Sequence, residues 1–503
     1  MTSVLTHHSE TAGAAGSSEA GSSSASSSAA SGSAASSSAA SSSATALRAD
    51  IRVPALIMKI GDYPLHSGGV GAIRTLGRLG VPVYAITEDR FTPAAVSRYL
   101  TGRYVWPTTG LEDPGLLVDG LRKIGRQLGR RSVVVPVDDE SAVLLAEHAA
   151  ELSEYFLFPS VPAGLPRKLA DKQSLHELCL AHDVPTPDSV VPASAAELAA
   201  FAALTTFPVV AKNAEVWTRR RAPAVPSTTV LHSADELLAL ARGGQIPSVM
   251  LQEHIPAEHA EDWIVHLYCD VNSRPLVLAT GVKARSWPPH AGATACAYVV
   301  ANPGLADLAR RFCEEIGFRG IADLDWRLDR RDGKYKLVDF NPRMGNQFRL
   351  FEDVAGIDVV RALHLDLTGR PVPAGDQVEG RRIIVEHADL PARLAYRGAG
   401  RARPPAPGHA ASTELAWLAP DDPVPFLAAC LRFGRPAGAY LGRIWPRSAW
   451  PLLHRPSGRK PRWRIRKPAG MSLPTTSGLP SISAAAGEDQ EGVFSAGLGR
   501  SSR

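Results

Sequence analysis

The segment GIADLDWRLDRRDGKYKLVDFNPRMGNQ (320–347) constrains the fold more than any other stretch of the chain. Two runs of alternating apolar and polar residues flank Asp332-Gly333, a dipeptide that suits tight turns, so the segment predicts a β-hairpin. Side chains alternate across a strand, which puts Ala322, Leu324, Trp326 and Leu328 on one face and Asp323 and Asp325 on the other. On the return strand Asp339 and Asn341 are two apart and point to the same side. Closing the hairpin makes Asp325, Asp339 and Asn341 neighbours, within the roughly 8 Å reach of opposed and diagonal cross-strand partners. Two carboxylates and an amide oxygen are hard ligands of the kind Mg²⁺ takes alongside water and phosphate; without a cation the carboxylates repel. The same pattern also suits a sheet face of ordinary solvated acids. The ending Asn341-Pro342-Arg343 favours the first reading, because Pro342 stops the strand and Arg343 offers a two-pronged donor to a phosphate or carboxylate.

The chain changes character near residue 245. VPALIMKI (53–60), the glycine-rich loop GDYPLHSGGVG (61–71), the helical spacing of AIRTLGRLG (72–80) and VPVYAI (81–86) make a strand, loop, helix, strand unit. A helix at 114–128, the strand SVVVPV (132–137), the acidic DDE (138–140) and a helix at 141–155 continue it, giving a parallel α/β domain over 51–160. Helices at 171–183 and 195–203 and the strand FPVVAKN (207–213) follow within 161–247. Beyond that, strands at 248–255, 262–270, 275–285, 320–328 and 334–342, with helices at 304–316 and 355–369, read as an α+β unit with an antiparallel sheet over 248–374. Residues 375–450 are Pro-rich, with one clear helix start at DDPVPFLAACLRFG and no recognisable site.

Composition bounds the ends. Apart from Glu19 and Thr45, residues 12–46 are all Ala, Ser and Gly, so 1–50 is expected to be a disordered tail, as is 451–503. The net charge of +5 invites a nucleic-acid or acidic-surface partner, but seven cations and no anion lie between Arg455 and Lys467, and without them the balance falls to −2. Nucleic-acid binding by that stretch, where Trp463 interleaves with cations, and a solvated tail are both open, and the body is close to neutral. Five widely spaced cysteines with no C-x-x-C pair suggest neither a disulfide framework nor a zinc site, and no apolar run approaches the roughly 18 residues of a membrane span; a cytoplasmic protein is expected.

Three weaker pieces accompany the hairpin. Lys212 closes an apolar strand, an arrangement that suits a phosphate contact or plain solvation, and Lys172 opens a helix in Asp171-Lys172. In LQEHIPAEHAEDW (251–263), Glu253 ends a strand and Glu258, Glu261 and Asp262 follow; they would accept ribose hydroxyls or form a polar turn.

The order DK, FPVVAK, LQEHI, GIADLDWRL, LVDFNPR closely resembles the ATP-grasp superfamily over about 51–370, and within it the carboxylate-amine ligases related to D-aspartate ligase, in which a segment like GVKARSWPPHAGAT (281–294) precedes the hairpin. The resemblance implies an N-terminal pre-ATP-grasp domain, then two ATP-grasp subdomains with ATP bound between them. It implies that Lys172 and Lys212 contact ATP phosphates, Glu253 lies at the adenine-side hinge and Glu261 binds ribose. Asp325, Asp339 and Asn341 would hold Mg²⁺, or Mn²⁺ in its place, while Arg343, Lys283 and Arg285 would face the transferring phosphoryl group or an acidic substrate. The reaction implied is phosphorylation of a small-molecule carboxylate, such as an amino acid, to an acyl phosphate, then attack by an amine to give an amide, ADP and phosphate. Two departures stand out: the loop after Lys212 carries Trp217 and Arg219, Arg220 and Arg221 where small residues are usual, and Asp339 stands where Glu is usual, shortening metal reach by about 1.5 Å.

Two competitors remain. The strand, glycine loop, helix and Glu88-Asp89 imitate an NAD(P)-binding fingerprint, although glycines at 68, 69, 71 and 77 lack the G-x-G-x-x-G spacing. A non-catalytic ATP-binding protein of the same fold would not need both acids, Asn341 and both lysines.

Overall fold

The computed structural model describes residues 49–214, 223–225, 228–241, 248–290, 292–397 and 410–433. The Ala/Ser tract, Trp217 with the three arginines after it, and the basic stretch at 455–467 lie outside the described residues.

Strands β1 (Ala55–Met58), β2 (Val83–Thr87), β3 (Gly102–Val105), β4 (Ser132–Pro136) and β5 (Phe156–Leu157) form a parallel sheet in the order β3-β2-β1-β4-β5. β1 is buried along its whole length, as a sheet sandwiched between helices requires. The winding reverses between β1 and β4, opening a crevice beyond their C-terminal ends, where such sheets receive ligands.

The glycine-rich segment is not the loop its composition suggests. Its helix runs over Ser67–Gly77 rather than from about 72, because His66 Nδ1 accepts the Gly69 amide at 3.0 Å and caps the first turn. The glycines serve close packing instead of a turn: a Cβ on Gly68 would stand 3.0 Å from the Gly345 carbonyl oxygen.

β6 (Ser189–Val190), β7 (Val209–Asn213), β8 (Thr229–Leu231) and β9 (Val249–Glu253) make an antiparallel sheet in the order β6-β9-β7-β8. The third sheet has seven strands, β10 (Ala260–Cys269), β11 (Pro275–Trp287), β12 (Ala293–Val299), β13 (Gly320–Asp329), β14 (Lys334–Asn341), β15 (Arg381–Ile384) and β16 (Ser412–Leu415), ordered β14-β13-β10-β11-β12-β15-β16. It is antiparallel except for the β15–β16 pair. The hairpin forms as expected, with Gly333 at φ +71° closing its turn. Leu324, Trp326, Leu337 and Phe340 pack into the core beneath the sheet, which leaves the acids on the opposite face.

β15 and β16 come from the stretch that carries no site signal in the sequence. Four residues each are too few to announce a period; β15 is a strand because β12 offers it an edge, and β16 because β15 then offers the next. The same stretch is tied to the N-terminal domain through Asp422, which accepts from Arg74 Nε (3.0 Å), Ser97 Oγ (2.7 Å) and the Arg98 amide (2.9 Å). Arg74 and Asp422 are both buried, so Asp422→Ala strands a buried guanidinium. The expected loss is about 3–5 kcal/mol, read as a lower urea midpoint with an unchanged slope. Among the described residues no helix is long and apolar enough to cross a membrane.

Candidate active site

A cleft of about 1310 Å³ is lined by strands of the second and third sheets and by the segments that follow β1 and β4 of the first. Eight of the ten residues singled out in the sequence line it: Lys172, Lys212, Glu253, Lys283, Asp325, Asp339, Asn341 and Arg343. Strand register explains their meeting. Asp325 stands opposite Asp339 and Asp323 opposite Asn341, so all four project from one face of β13 and β14.

Each acid meets a cation. Lys172, the first residue of the helix Lys172–Ala181, forms an ion pair with Asp339, and Lys283 Nζ lies 2.7 Å from Asp325 Oδ1. Lys212 reaches from β7 to donate to the Val338 carbonyl at 3.4 Å. Arg343 Nη2 donates to Asn341 Oδ1 (2.8 Å) and Nη1 to the Met344 carbonyl (3.2 Å); Nε lies 3.3 Å from Asp139 Oδ1 and Nη1 3.6 Å from Asp323 Oδ2. Asn341 Nδ2 donates to the Asp323 carbonyl at 3.0 Å, which turns the amide oxygen outward.

The electrostatics follow from burial and these contacts. Burial alone would raise the Asp339 carboxyl, but Lys172, then Lys212 and Arg343, hold it at about 2. Asp325 goes the other way: burial raises it, with Asp323 and Asp339 adding repulsion, and Lys283 offsets only part. Burial, reinforced by Lys172, brings the Lys212 ammonium down to about 8.

Two expected residues stand elsewhere. Glu261 accepts from the Trp263 indole at 3.2 Å and pairs with Arg330, because positions 261 and 263 share the face of β10 turned away from the cleft. Asp262, one residue on, takes the cleft side and lies 2.8 Å from Arg327. Arg285 does not line the cleft either. Two irregularities in the β11–β12 pairing, at 283–285 and 285–286, break the alternation that would have set it beside Lys283, and it pairs instead with Asp389 at 2.7 Å. Glu253 lines the cleft with its carboxylate shared between Arg331 and Lys336.

Several cleft residues carried no sequence signal. Asp323 was visible on the acidic face but without a role; it is buried, lies 2.8 Å from His266 Nε2 and accepts from Gln347 Nε2 at 3.3 Å. Gly345 is required beside it, since a Cβ there would fall 2.3 Å from Asp323 Oδ2. Asp138 and Asp139, from the DDE at the end of β4, and His387, after β15, also line the cleft, from parts of the chain far from the hairpin in sequence.

The donors fit Mg²⁺ used with a polyphosphate. Among the described residues no three His, Cys, Asp or Glu side chains gather into a metal-holding group, so a closed zinc-type cage is not built. Two opposed carboxylates and an outward amide oxygen are instead the few hard protein ligands Mg²⁺ takes while keeping water and phosphate.

No family model matches the chain. It is 23% identical over 296 residues to a curated protein of Enterococcus faecium (strain Aus0004), covering 55% of this chain and 68% of that one. The chain is similar to D-aspartate ligase. A parallel α/β sheet followed by two largely antiparallel sheets is the mixed architecture that the sequence resemblance led one to expect. Similar solved structures include a biotin carboxylase–β-γ-ATP complex from Campylobacter jejuni (TM-score 0.49, 14% identity, 64% of this chain and 72% of that one). Another is the L-amino acid ligase from Bacillus licheniformis (TM-score 0.47, 16% identity, 65% of this chain and 74% of that one).

Proposed function

We propose that this protein is an ATP-dependent carboxylate-amine ligase that forms an amide through an acyl phosphate and releases ADP and phosphate. The observation that carries the proposal is the opposed pair Asp325 and Asp339 with Asn341, ringed by Lys172, Lys212, Lys283 and Arg343. Asp325, Asp339 and Asn341 would hold Mg²⁺, which supplies charge neutralisation to the β- and γ-phosphates. Lys172 and Lys212 bind the polyphosphate from the opposite wall. Arg343, whose two terminal nitrogens donate to Asn341 and Met344, would bring a fixed guanidinium charge beside the transferring phosphoryl group and stabilise it as the bond to ADP breaks. Lys283 stands beside Asp325 and orients the incoming carboxylate. The cleft walls must exclude water, because an acyl phosphate hydrolyses. The likeness to D-aspartate ligase supports an amino acid as one substrate.

An NAD(P) oxidoreductase is not favoured. At the start of the glycine-rich helix the Gly68 amide already donates to Asn346 Oδ1 (3.1 Å), the Gly69 amide to His66, and Glu88 is paired with Lys59. Equilibrium binding separates the two readings: AMP-PNP with Mg²⁺ binds and NADH does not, and the reverse result overturns the proposal.

Lys212 sets a pH dependence. With its ammonium depressed to about 8 from an ordinary 10.5, it is a cation below that pH and neutral above. The ATP kcat/KM, which reports groups of the free enzyme, falls as pH rises through about 8, and Lys212→Met lowers the plateau and removes that limb. The stability contribution has the opposite sign: between about 8 and 10.5 the unfolded chain holds more protons at this residue, so its contribution rises with pH there.

A further inference from the structure

We propose that the chain binds an anionic lipid bilayer through helix 424–433, whose exposed apolar face enters the headgroup boundary, and through the cations that follow it in sequence, which meet lipid phosphates. Neither feature lines the cleft, and the binding does not depend on the reaction carried out there.

Helix 424–433 has two unlike faces. Phe426, Ala429 and Phe433 turn inward onto the cluster that holds Ala388, Ala392 and Trp417. Val424, Leu427 and Leu431, spaced three and four apart, share the opposite face and are 48%, 57% and 78% exposed. The helix Glu386–Arg397 repeats the pattern on the same cluster: Ala388 and Ala392 pack inward, while Leu390 and Leu394, one turn apart, are exposed. A single exposed leucine is ordinary, but outward apolar stripes on both helices of one lobe mark a surface that meets something other than water.

Charge chooses the partner. Arg432 is taken up by Asp89 at 2.6 Å, but between residues 434 and 487 the sequence has ten cations and no anion, with Trp445, Trp450 and Trp463 interleaved. That stretch lies outside the described residues; its composition supplies positive charge and indole rings. A nucleic acid would take the charge and leave the leucines in water. A second copy of the chain would cover the leucines and bring two strongly basic stretches together, at a cost in repulsion. An anionic bilayer takes both: leucines enter the headgroup and acyl boundary, indoles sit at the interface, and cations meet phosphates. One weak anchor binds marginally and reversibly, whereas an apolar face joined to a polybasic stretch holds. Because a bilayer is continuous, helix and stretch need no fixed arrangement between them to reach it.

Vesicle sedimentation with the full chain is the test. The protein co-sediments with vesicles of phosphatidylcholine containing about 30% phosphatidylglycerol and stays in solution with phosphatidylcholine alone. Salt at about 1 M weakens the binding. Arg462→Gln, Arg464→Gln and Arg466→Gln together lower partitioning by about 100-fold, at about fivefold per cation. Leu427→Ser with Leu431→Ser lowers it by at least about tenfold, and both variants melt at the temperature of the unaltered protein, since every substituted leucine is exposed. Equal binding to phosphatidylcholine alone, or unchanged binding in either variant, overturns the inference. Tighter binding to a single-stranded oligonucleotide than to the anionic vesicles also overturns it and makes the partner a nucleic acid. So does a dimer that Leu427→Ser with Leu431→Ser dissociates, which gives the apolar face to a second copy.

Discussion

Asp325→Asn lowers ATP turnover by at least about 100-fold, or about 2.7 kcal/mol of transition-state stabilisation, while the chain stays folded. The substitution keeps the shape of the side chain and an acceptor oxygen for Lys283 Nζ, now 2.7 Å from Asp325, but removes the charge that would hold the metal and the phosphates together. Asp325→Ala abolishes turnover as well and also deprives a mostly buried lysine of its partner, so the Asn variant is the cleaner comparison. Steady-state kinetics beside a thermal melt separate lost chemistry from lost structure. Full activity in Asp325→Asn would mean that the metal assignment is wrong.

Arg343→Lys costs a further large factor, again about 100-fold or more, and mainly in kcat. One guanidinium contacts Asn341 Oδ1 and the Met344 carbonyl while its Nε lies beside Asp139; a lysine ammonium is a single point and cannot span these. Because Lys172 and Lys212 remain, the KM for ATP changes only a few-fold. A variant with unchanged kcat and a greatly raised KM would reassign Arg343 to ground-state nucleotide binding.

What was legible in the sequence, and what was not, follows from how local each signal is. The hairpin could be read because turn chemistry and a two-residue period are both properties of a short segment, and Asp325, Asp339 and Asn341 came from it together. The parallel strands were legible for the same reason, as buried apolar runs. Glu261 and Arg285 stand outside the cleft because of strand parity. A one-residue difference at the start of β10 gives the cleft Asp262 instead of Glu261, and irregular pairing in β11 turns Arg285 toward Asp389. Neither the register nor the bulge leaves a mark in the residues themselves. The start of the helix over Ser67–Gly77 reads as a loop in the sequence because glycine content speaks first of turns, while its use here is the close approach of Gly68 to Gly345. The 375–450 stretch carries no signal because its strands are short, and its cleft residues Val385, His387 and Ala388 reach the cleft only through the pairing of β15 with β12.

The most direct measurement is the nucleotide product formed on incubation with Mg-ATP and a panel of amino acids, D-aspartate among them. Carboxylate-dependent release of ADP and phosphate, accompanied by an amide product when an amine is supplied, is the predicted result. Release of AMP and pyrophosphate, or no nucleotide turnover with any carboxylate, would contradict the acyl-phosphate ligase assignment.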